Sequence, residues 1–201
     1  MNAIITLLSA YLLGSIPFGY LLVRLRTGRD VRSAGSKNIG ATNVLRTAGR
    51  LMGVVTLLLD VGKGYLAVWL AAALTERSPL WMSAAAVAVM SGHVFPIFLK
   101  FKGGKAMASC IGAFLYLAPV PLAAAMVVFV VTVAATRYIS AGSILAAGSL
   151  PLAIWLVSHP PLPVLLAGVG AAILIVWRHR PNLERMRAGE EHVFSFGGRR
   201  A

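Results

Sequence analysis

The chain has 201 residues, 58% of them hydrophobic, with a mean hydropathy of +0.80. Ordinary soluble domains are about 45–50% apolar, and here the excess falls in long blocks, so one integral membrane domain over residues 1–201 is expected rather than a soluble domain with an anchor. The formal net charge of +13, from 19 Lys and Arg against 6 Asp and Glu, fits the cytoplasmic face of a membrane and its anionic headgroups; no basic helix or aromatic-basic platform points to nucleic acid.

The first apolar run covers residues 3–23. No base precedes it, and Arg24 and Arg26 stand where a cleavage site would need small residues, so it reads as an uncleaved span. The polar segment 24–50 follows, then a second run, 51–74. This run carries Asp60 and Lys63, three apart on one helical face and expected to pair. A short connection with Arg77 leads to the third run, 80–99, whose His93 is expected to be packed and hydrogen-bonded. After Lys100, Lys102 and Lys105 comes a charge-free stretch that divides into runs 104–118 and 120–136, with the two prolines of "APVP" at the turn. The single Cys110 excludes an intrachain disulfide and reads as a small buried hydrophobe. Runs 140–157 and 161–177 complete seven predicted spans.

Charge supports this division. Seven bases lie in 24–50, three in 100–105, one at Arg137, and six in the tail: Arg178, Arg180, Arg185, Arg187, Arg199 and Arg200. The alternate connections hold only Arg77. The positive-inside rule then predicts an all-α protein of seven transmembrane helices, with the N-terminus outside and the C-terminus cytoplasmic. No internal repeat suggests an inverted-repeat transporter.

Three polar segments fall on that cytoplasmic face. "GSKNIGATNVLR", Gly35 to Arg46, has glycines at 35 and 40, neutral donors Ser36, Asn38, Thr42 and Asn43, and the bases Lys37 and Arg46. Exposed backbone N–H groups with a forked guanidinium suit phosphate. "FKGGKAMAS", Phe101 to Ser109, places Gly103, Gly104 and Lys105 where a helix is expected to open, another anion-binding arrangement. Walker spacing is absent, so this is not an ATPase loop. "WRHRPNLERM", Trp177 to Met186, gathers His179, Arg180 and Asn182 after the last span. Gly142 and Ser143 offer a further donor on the same side. His159 and His192 read as surface residues. HExxH, GxSxG and any carboxylate cluster for Mg²⁺ are missing from the sequence, so no metal and no cofactor are expected.

The three segments resemble the three cytoplasmic motifs of the bacterial acyl-phosphate-dependent glycerol-3-phosphate acyltransferases. The resemblance extends over essentially the whole chain, in motif order, length and span layout. The usual "KGGKG" is altered by Ala106, a less permissive residue, and Pro181 stands where many relatives are polar. The resemblance implies transfer of an acyl group from fatty acyl phosphate to the 1-hydroxyl of sn-glycerol 3-phosphate, giving 1-acylglycerol 3-phosphate and phosphate, in the cytoplasmic membrane. It further implies that a separate acyl-phosphate synthase supplies the donor. By matching position, Arg46, Lys105 and Asn182 would hold the glycerol 3-phosphate, Ser36, Gly103 and Gly104 the donor headgroup, with Asn38, Thr42 and Asn43 lining the same site. His179 would orient it and Ser143 assist, leaving Ser36, Lys105 and His179 as the residues nearest the chemistry. No side chain is an evident general base, and the donor phosphate is expected to take the proton. HxxxxD is absent at every histidine, which separates the chain from the soluble acyltransferases. The rival is a transporter or flippase of an anionic lipid or organophosphate, for which intramembrane Asp60 and Lys63 would be the attraction. A CDP-alcohol phosphotransferase would need the acidic metal site that the sequence lacks.

Overall fold

The structure, a computed structural model, describes residues 2–194. Arg199 and Arg200, counted in the charge pattern, lie outside the described residues. All regular structure among the described residues is helical, and the chain packs as two compact units, Met1–Leu117 and the part from Ala118 onward.

The first unit contains α1 (Asn2–Ser15), α2 (Phe18–Thr27), α3 (Ala41–Ala48), α4 (Arg50–Leu74), α5 (Pro79–Val94) and α6 (Met107–Leu117). α1 and α2 form one apolar stretch, Ala3–Thr27, interrupted at Pro17, which has no N–H to continue a helix. The carbonyls loosened there are not left bare. Lys63 Nζ donates to Gly14 O at 2.9 Å and to Ile16 O at 3.0 Å, as an apolar surround requires. α1 packs on α5 and α4, and α4 packs on α6. The α4–α6 approach is close because Gly64 faces the Ser109 carbonyl and Gly112 faces the Val61 carbonyl; a Cβ at either would overlap backbone. Val68, Ala71, Ala86, Val89, Met90, Ala113 and Phe114 form the buried interior.

The second unit contains α7 (Pro119–Thr136), α8 (Ile139–Ser158), α9 (Leu162–Arg178) and α10 (Arg180–Arg187). Pro119 opens α7, where a missing N–H costs nothing. α8 packs on both α7 and α9, burying Ala146, Leu150, Ile154, Ala171 and Ile175. The tail is tied back by Phe194 N–H to Arg137 O at 2.8 Å. Leu58, Trp69, Val127, Val130, Trp155 and Ile173 remain exposed, as lipid-facing side chains would.

Among the described residues, five helical segments are long and apolar enough to cross a membrane: Ala3–Thr27, Arg50–Leu74, Pro79–Leu99, Pro119–Thr136 and Ile139–Val157. A sixth arises if α9 and α10, bent by 50°, are taken together. The run expected at 104–118 yields only the 11 residues of α6, about 16 Å of helix against a hydrocarbon core of about 30 Å. Gly103, Gly104 and Lys105 do not open that helix, which begins at Met107. Within 24–50, helix continues to Thr27 and resumes at Ala41, so Arg24 and Arg26 sit on α2 rather than in a loop.

Candidate active site

The first polar segment is built around Asn43. Its side chain is 1% exposed. Oδ1 accepts the Ser36 N–H at 2.8 Å, and Nδ2 donates to the carbonyls of Val31, Ala34 and Asn38 at 3.0, 3.2 and 2.8 Å. One amide thus ties together four points of a loop whose own regular structure is the single turn Val31–Ser33. Gly35 takes a left-handed φ of +58°, and a Cβ there would strike Asn43 Oδ1. Lys37 takes a similar φ of 56°. Gly40, with φ −75° and ψ 160° as the N-cap of α3, has ordinary extended geometry.

The loop also uses N–H groups that were expected to face an anion. Ser36 N–H goes to Asn43, Lys37 N–H to Ala34 O at 3.1 Å, and Gly40 N–H to Asn38 Oδ1 at 2.8 Å. Those three N–H groups are therefore not available to an anion. Asn43, expected among the substrate ligands, fastens the loop from within. Thr42 lies in the first turn of α3 and Arg46 in its last. Asp30 caps the short turn Val31–Ser33 and holds Arg32 by a two-point contact, with Nη2 to Oδ2 at 2.7 Å. These hydrogen bonds from Arg32 hold the Asp30 carboxyl below its usual pKa, against the opposing effect of burial.

Beyond α5 the chain makes a tight return. Tyr11 on α1 donates its hydroxyl to Phe95 O at 2.7 Å. The turn Ile97–Leu99 follows, and then Gly103 N–H reaches Val94 O at 3.1 Å and Gly104 N–H reaches His93 O at 3.0 Å. The glycine N–H groups, expected to cradle a phosphate, are thus used to dock the turn on the end of α5. The His93 ring lies against Gly104, and a Cβ on Gly104 would overlap Nε2. Ala106, the departure from the family pattern, adopts φ 59°, a region that favours glycine. Lys105, half-buried, sits between these two constrained positions.

These two segments meet. Leu99 from the return packs with Val31, Ile39 and Val44 of the first segment and Val23 of α2, with Tyr20, Ala48 and Met52 at the edge. A small apolar cluster thus seats both polar segments on one support, a feature hidden in the sequence because its members are spread singly among polar residues.

Asp60 and Lys63 pair as expected, Nζ to Oδ1 at 2.9 Å, with both side chains almost fully buried. Because Lys63 also serves the α1–α2 break, the pair has a structural use that the transporter reading does not need. His93 Nδ1 lies 3.3 Å from Ser109 Oγ, in keeping with a packed, hydrogen-bonded histidine. Cys110 is buried, and His159 and His192 are exposed.

In the second unit, His179 joins α9 to α10. Its Nδ1 lies 2.8 Å from Ile175 O. A carbonyl only accepts, so Nδ1 carries the proton and, in the neutral ring, Nε2 keeps its lone pair. Pro181 occupies the first turn of α10, which explains why proline is tolerated in this segment. Asn182 and Ser143 are buried. Ser143 lies inside α8, its hydroxyl donating to Ile139 O at 2.9 Å.

Sequence reasoning missed Ser140 and Glu191. Glu191, 7% exposed, accepts from Ser140 Oγ at 2.9 Å and Asn182 Nδ2 at 2.7 Å through Oε1, and from Arg185 Nε at 2.8 Å through Oε2. Burial would raise its pKa, but hydrogen bonds from Asn182 and Ser140 and the Arg185 charge outweigh that and hold the carboxyl below its usual value. It fastens α10 to the start of α8, one helical turn from Ser143. Nothing in its tail context distinguishes it from Glu190.

Residues 4–189 match the glycerol-3-phosphate acyltransferase family. The chain is 47% identical over 194 residues to a glycerol-3-phosphate acyltransferase of Geobacter sulfurreducens, covering 96% of this chain and 98% of that one. It is 49% identical over 187 residues to that of Trichlorobacter lovleyi, covering 92% and 94%. Among solved structures it is similar to the integral membrane glycerol 3-phosphate acyltransferase PlsY in its glycerol 3-phosphate form, with a TM-score of 0.92 and 34% identity over 97% of this chain and 96% of that one. The lysophosphatidic acid form of PlsY matches with a TM-score of 0.88 at 33% identity, again over 97% and 96%. With its full set of polar segments inside the matched region, the chain belongs to the glycerol-3-phosphate acyltransferase family.

Proposed function

We propose that the protein transfers an acyl group from a fatty acyl phosphate to the 1-hydroxyl of sn-glycerol 3-phosphate. The observation that carries this reading is the likeness, over 97% of the chain, to an acyltransferase solved with glycerol 3-phosphate and with the lysophosphatidic acid product. The hydroxyl oxygen attacks the acyl carbonyl carbon, a new ester C–O bond forms, and the acyl–phosphate C–O bond breaks. The proton passes to the departing phosphate, which leaves as inorganic phosphate. A phosphate within hydrogen-bond reach of the hydroxyl has a pKa suited to that step, so positioning carries much of the catalysis.

In this reading Arg46, Lys105 and Asn182 bind the glycerol 3-phosphate, and Ser36 with the Gly103–Gly104 turn meets the donor headgroup. Because both glycine N–H groups are used internally, the turn acts by shape and by aiming Lys105. Asn38 and Thr42 line the first segment, and Ser143 supports the second unit's part. His179, with Nδ1–H committed to Ile175 O, orients the site by hydrogen bonding. Both units belong to one transferase domain.

The proposed setting is the cytoplasmic membrane, with the N-terminus outside, all three polar segments cytoplasmic, and seven crossings in which the 11-residue α6, too short to span alone, is completed by the non-helical approach from Gly103. The asymmetry of seventeen bases against one in the connections supports this orientation. A separate synthase supplies the acyl phosphate. The test is product formation by purified protein in detergent with labelled glycerol 3-phosphate. Labelled lysophosphatidic acid is expected with acyl phosphate and not with acyl-CoA. Equal or better use of acyl-CoA would contradict the donor assignment.

A further inference from the structure

One buried cluster is left unused by the proposed chemistry. Asp60, Lys63, His93 and Ser109, from α4, α5 and the start of α6, are each less than 5% exposed. Lys63 spends aligned donors on Gly14 O and Ile16 O, and lies 2.9 Å from Asp60 Oδ1. That contact is an ion pair rather than an aligned hydrogen bond, and Oδ1 has no hydrogen-bond partner among the described residues. His93 Nδ1 lies 3.7 Å from the same oxygen and 3.3 Å from Ser109 Oγ. A carboxylate only accepts, so Asp60 favours the ring form with its proton on Nδ1. The opposite edge of the ring, Nε2, faces Gly104, while the His93 carbonyl holds the Gly104 N–H. His93 therefore grips the turn before Lys105 through both side chain and backbone.

A packing requirement alone does not explain these charges, because a well-packed apolar set often stabilises a core at least as well as a buried ion pair. The cluster links two features instead: the α1–α2 break, held by Lys63, and the Gly103–Lys105 turn, held by His93. We propose that Asp60 and His93 are positioning residues for acyl transfer. Asp60, neutralised by Lys63, fixes the orientation of the His93 ring, and the ring fixes the Gly104 backbone that aims Lys105. This inference rests on the assignment of Lys105 to glycerol 3-phosphate.

The test is steady-state kinetics of the full chain in detergent, alongside thermal unfolding. Asp60→Asn should raise KM for glycerol 3-phosphate by about fivefold or more, with KM for acyl phosphate within about twofold of wild type. An amide at position 93 tests which ring edge Asp60 controls. Asn places its NH₂ near the position of Nδ1 and should retain more activity than Gln, which places it near Nε2. Gly104→Ala presses on the ring from the other side and should also raise KM for glycerol 3-phosphate, with a change in KM for acyl phosphate besides, because the same turn meets the donor headgroup. If Asp60→Asn does not fold, the order of the His93 variants and the Gly104→Ala kinetics decide the matter. Unchanged KM values, or equal rises for both substrates in Asp60→Asn, would overturn the proposal. If wild type is active but Lys105→Ala leaves KM for glycerol 3-phosphate unchanged, the Lys105 assignment itself fails, a result distinct from failure of the Asp60–His93 link.

Discussion

Asn182 Nδ2 donates to Glu191 Oε1 at 2.7 Å, and both side chains are buried. A residue assigned to substrate is thus oriented by a carboxylate nine positions later in a basic tail. Glu191→Gln replaces the carboxylate with an amide that can accept at only one end and loses its charge to Arg185. We expect at least a tenfold fall in kcat/KM, about 1.4 kcal/mol or more. Glu184→Gln and Glu190→Gln, at exposed positions, should stay within about tenfold of wild type. The sequence alone would have grouped the three glutamates together; parallel kinetics on the three variants check the distinction.

The depressed pKa of Glu191 sets the sign of its pH effect. A folded-state pKa below the unfolded one contributes stability above the ordinary carboxylate range, and that contribution is lost as pH falls through the folded value. Thermal unfolding should show wild type losing stability on acidification below the usual glutamate pKa, and Glu191→Gln losing less. Parallel pH curves for the two proteins would contradict the anchoring role.

Asn43 offers the clearest stability test. Asn43→Ala leaves the Ser36 N–H and the Val31, Ala34 and Asn38 carbonyls to find new partners. A cost of about 1–3 kcal/mol is expected from stranding buried polar groups, with loss of activity because Arg46 sits one turn further along α3. Retention of both stability and activity would refute the fastener role.

Much of this was legible from the residues. Apolar runs located five of the seven expected spans, because lipid demands long uninterrupted hydrophobic helices, and the Asp60–Lys63 pair followed from helical spacing. The details of hydrogen bonding were not legible. "GGK" reads as a cradle of donors, yet both glycine N–H groups bond to the end of α5, because a return of this tightness closes on the nearest free carbonyls. Asn43 reads as one more polar residue, and only the folded loop shows its amide enclosed. Ser140 and Glu191 meet across 51 residues, a separation that leaves no local pattern. The span at 104–118 was overestimated because an extended, constrained approach through Ala106 is itself apolar at its end.

Arg46→Lys should cost about 2 kcal/mol or more of transition-state stabilisation, because an ammonium cannot present the two-point fork. Arg26→Lys on α2, outside the three segments, should be nearly silent. Equal small effects would reduce the first segment to a topological signal.

Three of the six acidic residues are already committed: Asp30 to Arg32, Asp60 to Lys63, and Glu191 to its three donors. Activity is therefore expected to survive EDTA. His179→Gln should lower the rate through misplaced substrate, while its residual rate keeps the wild-type pH dependence. Loss of a rate step near the imidazole pKa, with substrate affinity intact, would make His179 the base.

Acyl transfer from acyl phosphate is tested by measuring inorganic phosphate released by the purified protein, with and without glycerol 3-phosphate. Release should depend on glycerol 3-phosphate and match lysophosphatidic acid formation one for one. Phosphate release that is indifferent to glycerol 3-phosphate, or acylation without phosphate release, would contradict it.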